Sequence, residues 1–204
     1  MKLLFFDTET TDRNPGNICQ LSYIIVDTNT KPQTTIGKNY FFAVDEMSPE
    51  AQKVHGLSLI KLYELSQGKY IEDLVGEFED DFKEADILIG HNVSFDLNFI
   101  TSEFNSLGID FKPKNSFCTM NFYKNVCRIH KHNGTFKFPK LAEVIDFLHI
   151  SQDDVNSCAM KMFGGTNNYH DARFDTAALY LIVTDGIKKG IVPRGYFTKM
   201  IRRQ

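Results

Sequence analysis

Apolar residues follow two rhythms along this chain. The first third carries short apolar blocks set between turn residues: "KLLFFD" at 2–7, "ICQLSYIIVD" at 18–27 and "IGKNYFFAV" at 36–44. Blocks of this length, rich in β-branched and aromatic residues and bounded by Gly, Pro, Asn and Asp, read as strands. "DRNPGN" joins the first pair and "TNTKPQTT" the second, so the opening reads as a three-stranded meander. From Ser48 onward the apolar spacing is three and four, the helical period. Ser48 caps, Pro49 takes the first helical position and Gly56 ends a first short helix. Ile71, Leu74, Val75, Phe78 and Phe82 mark a helix over about 70–84, and Leu97, Ile100, Phe104 and Leu107 another over 95–107. Between them "DILIG" (86–90) is a short buried strand. "SFCTM" reads as a fifth strand running into a helix at 119–130. "KLAEVIDFLHI" gives a helix, 153–163 a further one, and a long last helix starts near Asp171. Strands first, then strands alternating with helices, imply an α/β fold with a mixed sheet flanked by helices. There is no repeat, low-complexity segment or linker, so a single domain is expected over 1–204, with 190–204 as a short basic tail.

Composition changes this picture in three ways. At 204 residues and 42% hydrophobic content the chain can bury an ample core. The four cysteines lack paired spacing, which points away from a zinc or disulfide scaffold and toward a reducing, cytoplasmic setting. The first apolar run stops at Asp7, too short for a signal peptide, and no apolar run is long enough to span a membrane. The net charge of −3 argues against a polyanionic partner, but its distribution does not. Residues 111–142 hold no Asp or Glu and seven Lys or Arg, and the stretch 186–204 is likewise free of acids. Acid gathers instead in "IEDLVGEFEDDFKEAD" at 71–86, which reads as a solvated helix face. The basic stretches imply a surface for a polyanion.

Candidate chemistry lies at four places. Asp7 and Glu9 flank Thr8 at the end of the first strand; residues two apart on a strand share a face. Two carboxylates side by side repel and raise each other's pKa, so they need a cation, a proton or open water. Asp96 falls in the first turn of the helix that follows "DILIG". An acid there complements the helix dipole, and that junction is also where open α/β sheets place functional groups. Asp175 opens the last helix, with His170 five residues before it. Five residues turn a helix by about 500°, so His170 is expected on the preceding loop, folded back toward Asp175, with Asp171 as the cap. The fourth place is His55, just before Gly56; a structural histidine and a substrate contact are both open for it.

In order these residues spell Asp-x-Glu, Asp, His-x4-Asp. With "QLSYIIVD", "VHGLS", "GHNVSFDLNFI", "CTM" and "KLAEV", the chain resembles the DEDDh 3′→5′ exonucleases, the family that includes the epsilon proofreading subunit of bacterial DNA polymerase III. The resemblance implies a ribonuclease-H-like fold, a five-stranded mixed sheet with helices on both sides. It implies two divalent metal ions, Mg²⁺ or Mn²⁺, with Asp7 bridging both, Glu9 and Asp175 completing one site, and Asp96 on the second. It makes His170 the general base, and Thr8, Thr10, His55, Asn92 and Phe95 the contacts to the terminal nucleotide. The physics agrees: hard cations select carboxylate oxygens, and a histidine with a pKa of about 6.5 can take a proton from water at neutral pH. The implied partners are single-stranded or frayed 3′ ends of DNA, with a DNA polymerase or a stand-alone role both open.

The chain departs from the family pattern at Asp12 and Arg13, where Gly and an apolar residue are usual, and at Cys118, where Asp is common. The segment 151–169 before His170, with Gly164, Gly165 and several Asn, is expected to be a mobile loop. Two alternatives stay open: an RNA-directed exonuclease of the same branch, and a catalytically silent nucleic-acid- or polymerase-binding module.

Overall fold

The structure is a computed structural model that describes residues 1–13, 17–166 and 169–202. The turn expected at 12–17 and the loop expected before His170 thus fall partly on 14–16 and 167–168, which lie outside the described residues, as do the last two residues of the basic tail. Five strands form one sheet: β1 (Lys2–Thr10), β2 (Ile18–Asp27), β3 (Thr34–Phe41), β4 (Ile87–Gly90) and β5 (Ser116–Cys118), in the order β3-β2-β1-β4-β5. β2 runs antiparallel to both β1 and β3, which is the expected meander, while β4 and β5 add in parallel beyond β1.

β1 is buried on both faces, as its unbroken "LLFF" run requires. Leu3 and Phe5 face one core and Leu4 and Phe6 the other. β1 also outruns its parallel neighbour. Its pairing with β4 spans Leu3↔Ile87 to Phe5↔Ile89, whereas its pairing with β2 continues to Thr10↔Ile18, with an irregularity between Glu9 and Thr10. The last residues of β1 therefore stand beside the turn that follows β4 rather than beside a strand.

The helices are α1 (Pro49–His55), α2 (Leu59–Ser66), α3 (Ile71–Leu74), α4 (Glu79–Glu84), α5 (Val93–Ser106), α6 (Thr119–Cys127), α7 (Leu141–Leu148), α8 (Gln152–Phe163), α9 (Ala172–Lys188) and α10 (Tyr196–Ile201). Residues of α3 to α5 cover one face of the sheet, where Phe78, Phe82, Phe104 and Phe111 interlock edge-to-face and stacked. Residues of α6 to α10 cover the other. No helix among the described residues is long and apolar enough to cross a membrane.

Two expectations are corrected, and two helices lie where none is expected. The helix expected over 70–84 is broken: a 3-10 turn at Val75–Glu77 separates α3 from α4. Gly76 weakens the helix there, and Leu74, Phe78 and Phe82 are buried on both sides of the break. α2 was not anticipated, because it has no clean apolar stripe: Ile60 and Tyr63 point to solvent while Leu62 and Ser66 are its buried residues. Part of the expected tail is α10, whose Phe197 packs edge-on against Phe117. The segment expected to be a mobile loop is mostly α8, which is the helix expected at 153–163, capped by the Ser151 side chain.

α8 lies hard against β3. A Cβ built on Gly37 would sit 2.6 Å from the Met162 carbonyl oxygen and 2.8 Å from its Cβ, so this contact admits only glycine. Gly37→Ala is expected to destabilise the fold by about 1–3 kcal/mol, read as a lower midpoint in urea unfolding. An unchanged midpoint would contradict this packing.

Candidate active site

Strand alternation sorts the end of β1 into two sets. Asp7 and Glu9 continue the face of Leu3 and Phe5, toward α9; Thr8 and Thr10 continue the face of Leu4 and Phe6, toward α5. Across β2, Asp7 stands opposite Ser22 and Glu9 opposite Gln20. Both β2 residues are polar in an otherwise apolar strand, and both are buried.

α9 brings the third carboxylate. Asp171 caps it through the Arg173 backbone N–H (3.1 Å), and Asp175 follows one turn later, buried. Ala172, Ala177 and Ala178 are fully buried small residues that let α9 lie close on the sheet. A polar network fixes the helix start. Asp171 pairs with the Arg173 guanidinium at 2.6 Å and accepts from Gln20 Nε2 at 3.0 Å, while the Ala172 N–H donates to Gln20 Oε1 at 3.3 Å. Arg173 also lies over the Phe41 ring. Asp7, Glu9 and Asp175 thereby each place one oxygen within 4.8 Å of the others.

Asp96 arrives from the opposite face. Gly90 ends β4, and a Cβ there would meet Val93 at 3.0 Å, so the strand turns into α5 within a few residues. Asn92 takes the left-handed conformation (φ 74°) at the helix start. Buried Asp96 then accepts two hydrogen bonds on Oδ1, from Thr8 Oγ1 (2.7 Å) and the Thr8 N–H (3.2 Å). Asp96 belongs to the cluster electrostatically, since its charge raises the pKa of Asp7, Glu9 and Asp175. It does not share the tight oxygen triangle of the other three.

His170 sits on the turn before α9, with φ 65° and its side chain exposed. Its backbone N–H donates to Asp175 Oδ2 at 2.9 Å, so the chain does fold back as the spacing required. His55 stands across the cleft, and its Nδ1 accepts from the Leu57 N–H at 3.1 Å. That leaves the proton on Nε2. Burial holds the His55 pKa below its ordinary value, the Thr10 backbone opposes this in part, and a charge on His170 lowers it further, so the His55 ring is neutral.

A cleft with about 500 Å³ of room for water opens here, lined by Thr8, Glu9, Thr10, Asp12, Arg13, Ser48, Glu50, Ala51, Val54, His55 and Phe95. Sequence reading placed Thr8, Thr10, His55 and Phe95 at such a site. Asn92 is exposed on the neighbouring turn rather than in the cleft lining. It passed over Gln20, Arg173, Val54 and the cleft role of Ser48. Gln20 gave a signal, a buried-strand position occupied by an amide; Ser48 gave none beyond its cap.

The carboxylates are poorly compensated. Burial is the largest cause raising each pKa, and mutual repulsion adds to it for Asp7, Glu9 and Asp175. Asp96 and Asp175 are each pushed up to about 7, even though hydrogen bonds from Thr8 and His170 favour their ionised forms. No ion pair among the described residues involves any of the four. A set of close, largely buried carboxylates without cationic partners is the donor set of a hard divalent cation, and the residues fit one.

A mixed sheet in this order, helices on both faces, and acids gathered at the end of its first strand define a ribonuclease-H-like nuclease. The family model described as an exonuclease (RNase_T) matches residues 4–182, and the chain belongs to this family of DEDD-type 3′→5′ exonucleases. The 3′-5′ exonuclease DinG of Staphylococcus haemolyticus is 27% identical over 139 residues, which is 66% of this chain but 15% of that protein. Among solved structures, E. coli exonuclease I in complex with a 5cy-dT13 oligonucleotide superposes with a TM-score of 0.70 at 16% identity, covering 100% of this chain and 44% of that one. A zinc-bound form of the E. coli enzyme with single-stranded DNA gives 0.66 at 18% identity, over 96% and 42%. These likenesses are of fold.

The raised carboxyl pKa values fix the sign of a pH effect. Without metal, Asp96 and Asp175 hold protons in the folded chain up to about 7, whereas the unfolded chain releases them at about 3.9. The folded state binds more protons in that window, so its stability falls as pH rises through it. In chelator, Tm is expected to drop between about pH 4.5 and about pH 7.5, and Asp7→Asn is expected to flatten the drop. A Tm that stays level in chelator across that range would contradict this electrostatic picture.

Proposed function

We propose that the chain hydrolyses the terminal phosphodiester at the 3′ end of DNA and releases nucleoside 5′-monophosphates, with two divalent cations, Mg²⁺ or Mn²⁺, as cofactors. The observation that carries this reading is the convergence of Asp7, Glu9 and Asp175 within 4.8 Å, with Glu9 also lining an open cleft. Asp7, Glu9 and Asp175 would hold one cation, and Asp7 and Asp96 the other. When bound, such a pair supplies Lewis-acid stabilisation to the attacking and leaving oxygens of a phosphodiester.

The chain's own residues do the rest. Thr8 orients Asp96 through two hydrogen bonds, so loss of its hydroxyl acts through that carboxylate. The His170 backbone is tied to Asp175 while its imidazole stays free in solvent, where it can take the proton of the attacking water and pass it to bulk. The water oxygen bonds to phosphorus, the bond from phosphorus to the 3′ oxygen breaks, and that oxygen leaves with a proton as the new 3′ hydroxyl. Phe95 and Val54 give the terminal base an apolar wall, which accepts any base. His55 lines the cleft as a neutral ring, and so brings no charge to the 3′ end. The preference for DNA rests on fold neighbours solved with DNA oligonucleotides. A place in proofreading or repair, beside a DNA polymerase and in the cytoplasm, completes the reading; the free cysteines suit a reducing compartment.

Degradation of 5′-labelled single-stranded DNA and RNA of matched sequence tests this in Mg²⁺, Mn²⁺ and chelator. Stepwise shortening of DNA with metal, and none in chelator, is expected; turnover in chelator or a preference for RNA would overturn the reading. Asp7→Ala is expected to lose activity to background with the fold intact by circular dichroism. His170→Ala is expected to lower kcat by about 10²–10⁴-fold with Mn²⁺ affinity retained, and near-normal kcat would remove His170 from its role.

A further inference from the structure

Between α6 and α7 lies a basic hairpin that the site above does not use. Arg128 turns the chain out of α6 in a left-handed conformation (φ 49°). The arms are tied at the His130↔Phe136 bridge, with the Lys131 N–H donating to the Thr135 carbonyl at 2.7 Å. Returning along α6, the second arm exposes Phe138 (46%), and Lys124 of α6 lies 4.4 Å from the centre of its ring.

The charge here is one-sided. Acidic residues are absent from 111–142. Glu143 pairs with Lys137, but no ion pair among the described residues engages Lys124, Arg128, Lys131 or Lys140. Arg128, Lys131 and Lys140 are exposed. Solvated cations beside an exposed aromatic ring are the two parts of a surface for single-stranded nucleic acid: charge for the phosphates and a face for a base.

The hairpin is also fastened to the active-site turn. His91 lies between Gly90, which ends β4, and Asn92, which starts α5. Its Nδ1 is 3.0 Å from Thr119 Oγ1 at the start of α6, and its Nε2 is 3.0 Å from the Pro139 carbonyl at the base of the hairpin. A carbonyl only accepts, so Nε2 carries the proton there. One imidazole thus holds the root of the hairpin against the turn whose next residues include Phe95 and Asp96.

We propose that the hairpin at 128–140, with Lys124 and Phe138, is a track for the upstream part of a single-stranded nucleic acid whose 3′ end occupies the cleft. This rests on the exonuclease reading, and the experiment keeps the two apart. Two substrates are compared: a single-stranded oligodeoxynucleotide of about 15 residues, long enough to leave the cleft, and the p-nitrophenyl ester of thymidine 5′-monophosphate, which has no upstream chain. The variant Lys124→Ala/Arg128→Ala/Lys131→Ala is expected to lose at least about tenfold in kcat/KM on the oligonucleotide, mainly in KM, and its slope of log KM against log salt to fall by about 2. Its turnover of the ester is expected to match the unmodified chain. Arg128→Ala/Lys131→Ala, both fully exposed positions, is expected to show the same pattern at smaller amplitude, which guards against a folding defect from Lys124. Unchanged oligonucleotide kinetics and salt slope would overturn the track, as would an equal loss on both substrates. If the unmodified chain turns over neither substrate, the exonuclease reading fails, and the track is decided by anisotropy of a labelled oligonucleotide: weaker binding by the triple variant supports it and equal binding overturns it.

Discussion

Carboxylate repulsion at the end of β1 is the constraint around which the fold is arranged. Asp7, Glu9, Asp96 and Asp175 crowd one corner of the sheet, three of them buried, and each has its ionised form disfavoured by burial. Left to themselves, four such groups would move apart or recruit lysines. The structure prevents both. β1 is pinned by apolar side chains in both cores. α9 is held at its first turn by Asp171, Arg173 and Gln20, and Asp96 is locked by Thr8. The cluster is thus imposed by packing elsewhere, and its unbalanced charge is what makes it a place for cations.

Sheet topology explains why four carboxylates from distant parts of the chain meet at one corner. Alternation on β1 sends Asp7 and Glu9 to the α9 side and Thr8 to the α5 side. Because β4 stops pairing with β1 at Phe5, the turn into α5 can bring Asp96 alongside the part of β1 that β4 leaves unpaired. Had β4 been as long as β1, that edge would be filled by strand pairing. The same turn carries His91, which anchors the root of the basic hairpin, so the carboxylate corner and the proposed strand track share one structural element.

Much of this is written in short-range pattern. The doubly buried "LLFF" run, the polar turns of the meander and the Ser48–Pro49–Gly56 helix signals specify local elements without help from the rest of the chain. The i, i+2 rule puts Asp7 with Glu9, and the five-residue spacing puts His170 outside α9. What was not legible is long-range. The Gln20–Asp171 bond joins residues 151 apart, and no local pattern encodes it. α2 hid because it shows apolar side chains to solvent, whereas α8 is legible as a helix and only its seat against Gly37 of β3 is not. The break between α3 and α4 falls at Gly76, inside a periodicity that runs on through it.

The account stands on the claim that the corner formed by β1 and α9 is a cation site. Crystals soaked in Mn²⁺ and measured at a wavelength with strong anomalous signal test it most directly. The expected result is an anomalous peak bonded to oxygens of Asp7, Glu9 and Asp175, with a second peak about 3.5–4 Å away when a nucleoside 5′-monophosphate is added. Well-ordered crystals in Mn²⁺ with no peak in bonding reach of Asp7 would contradict it.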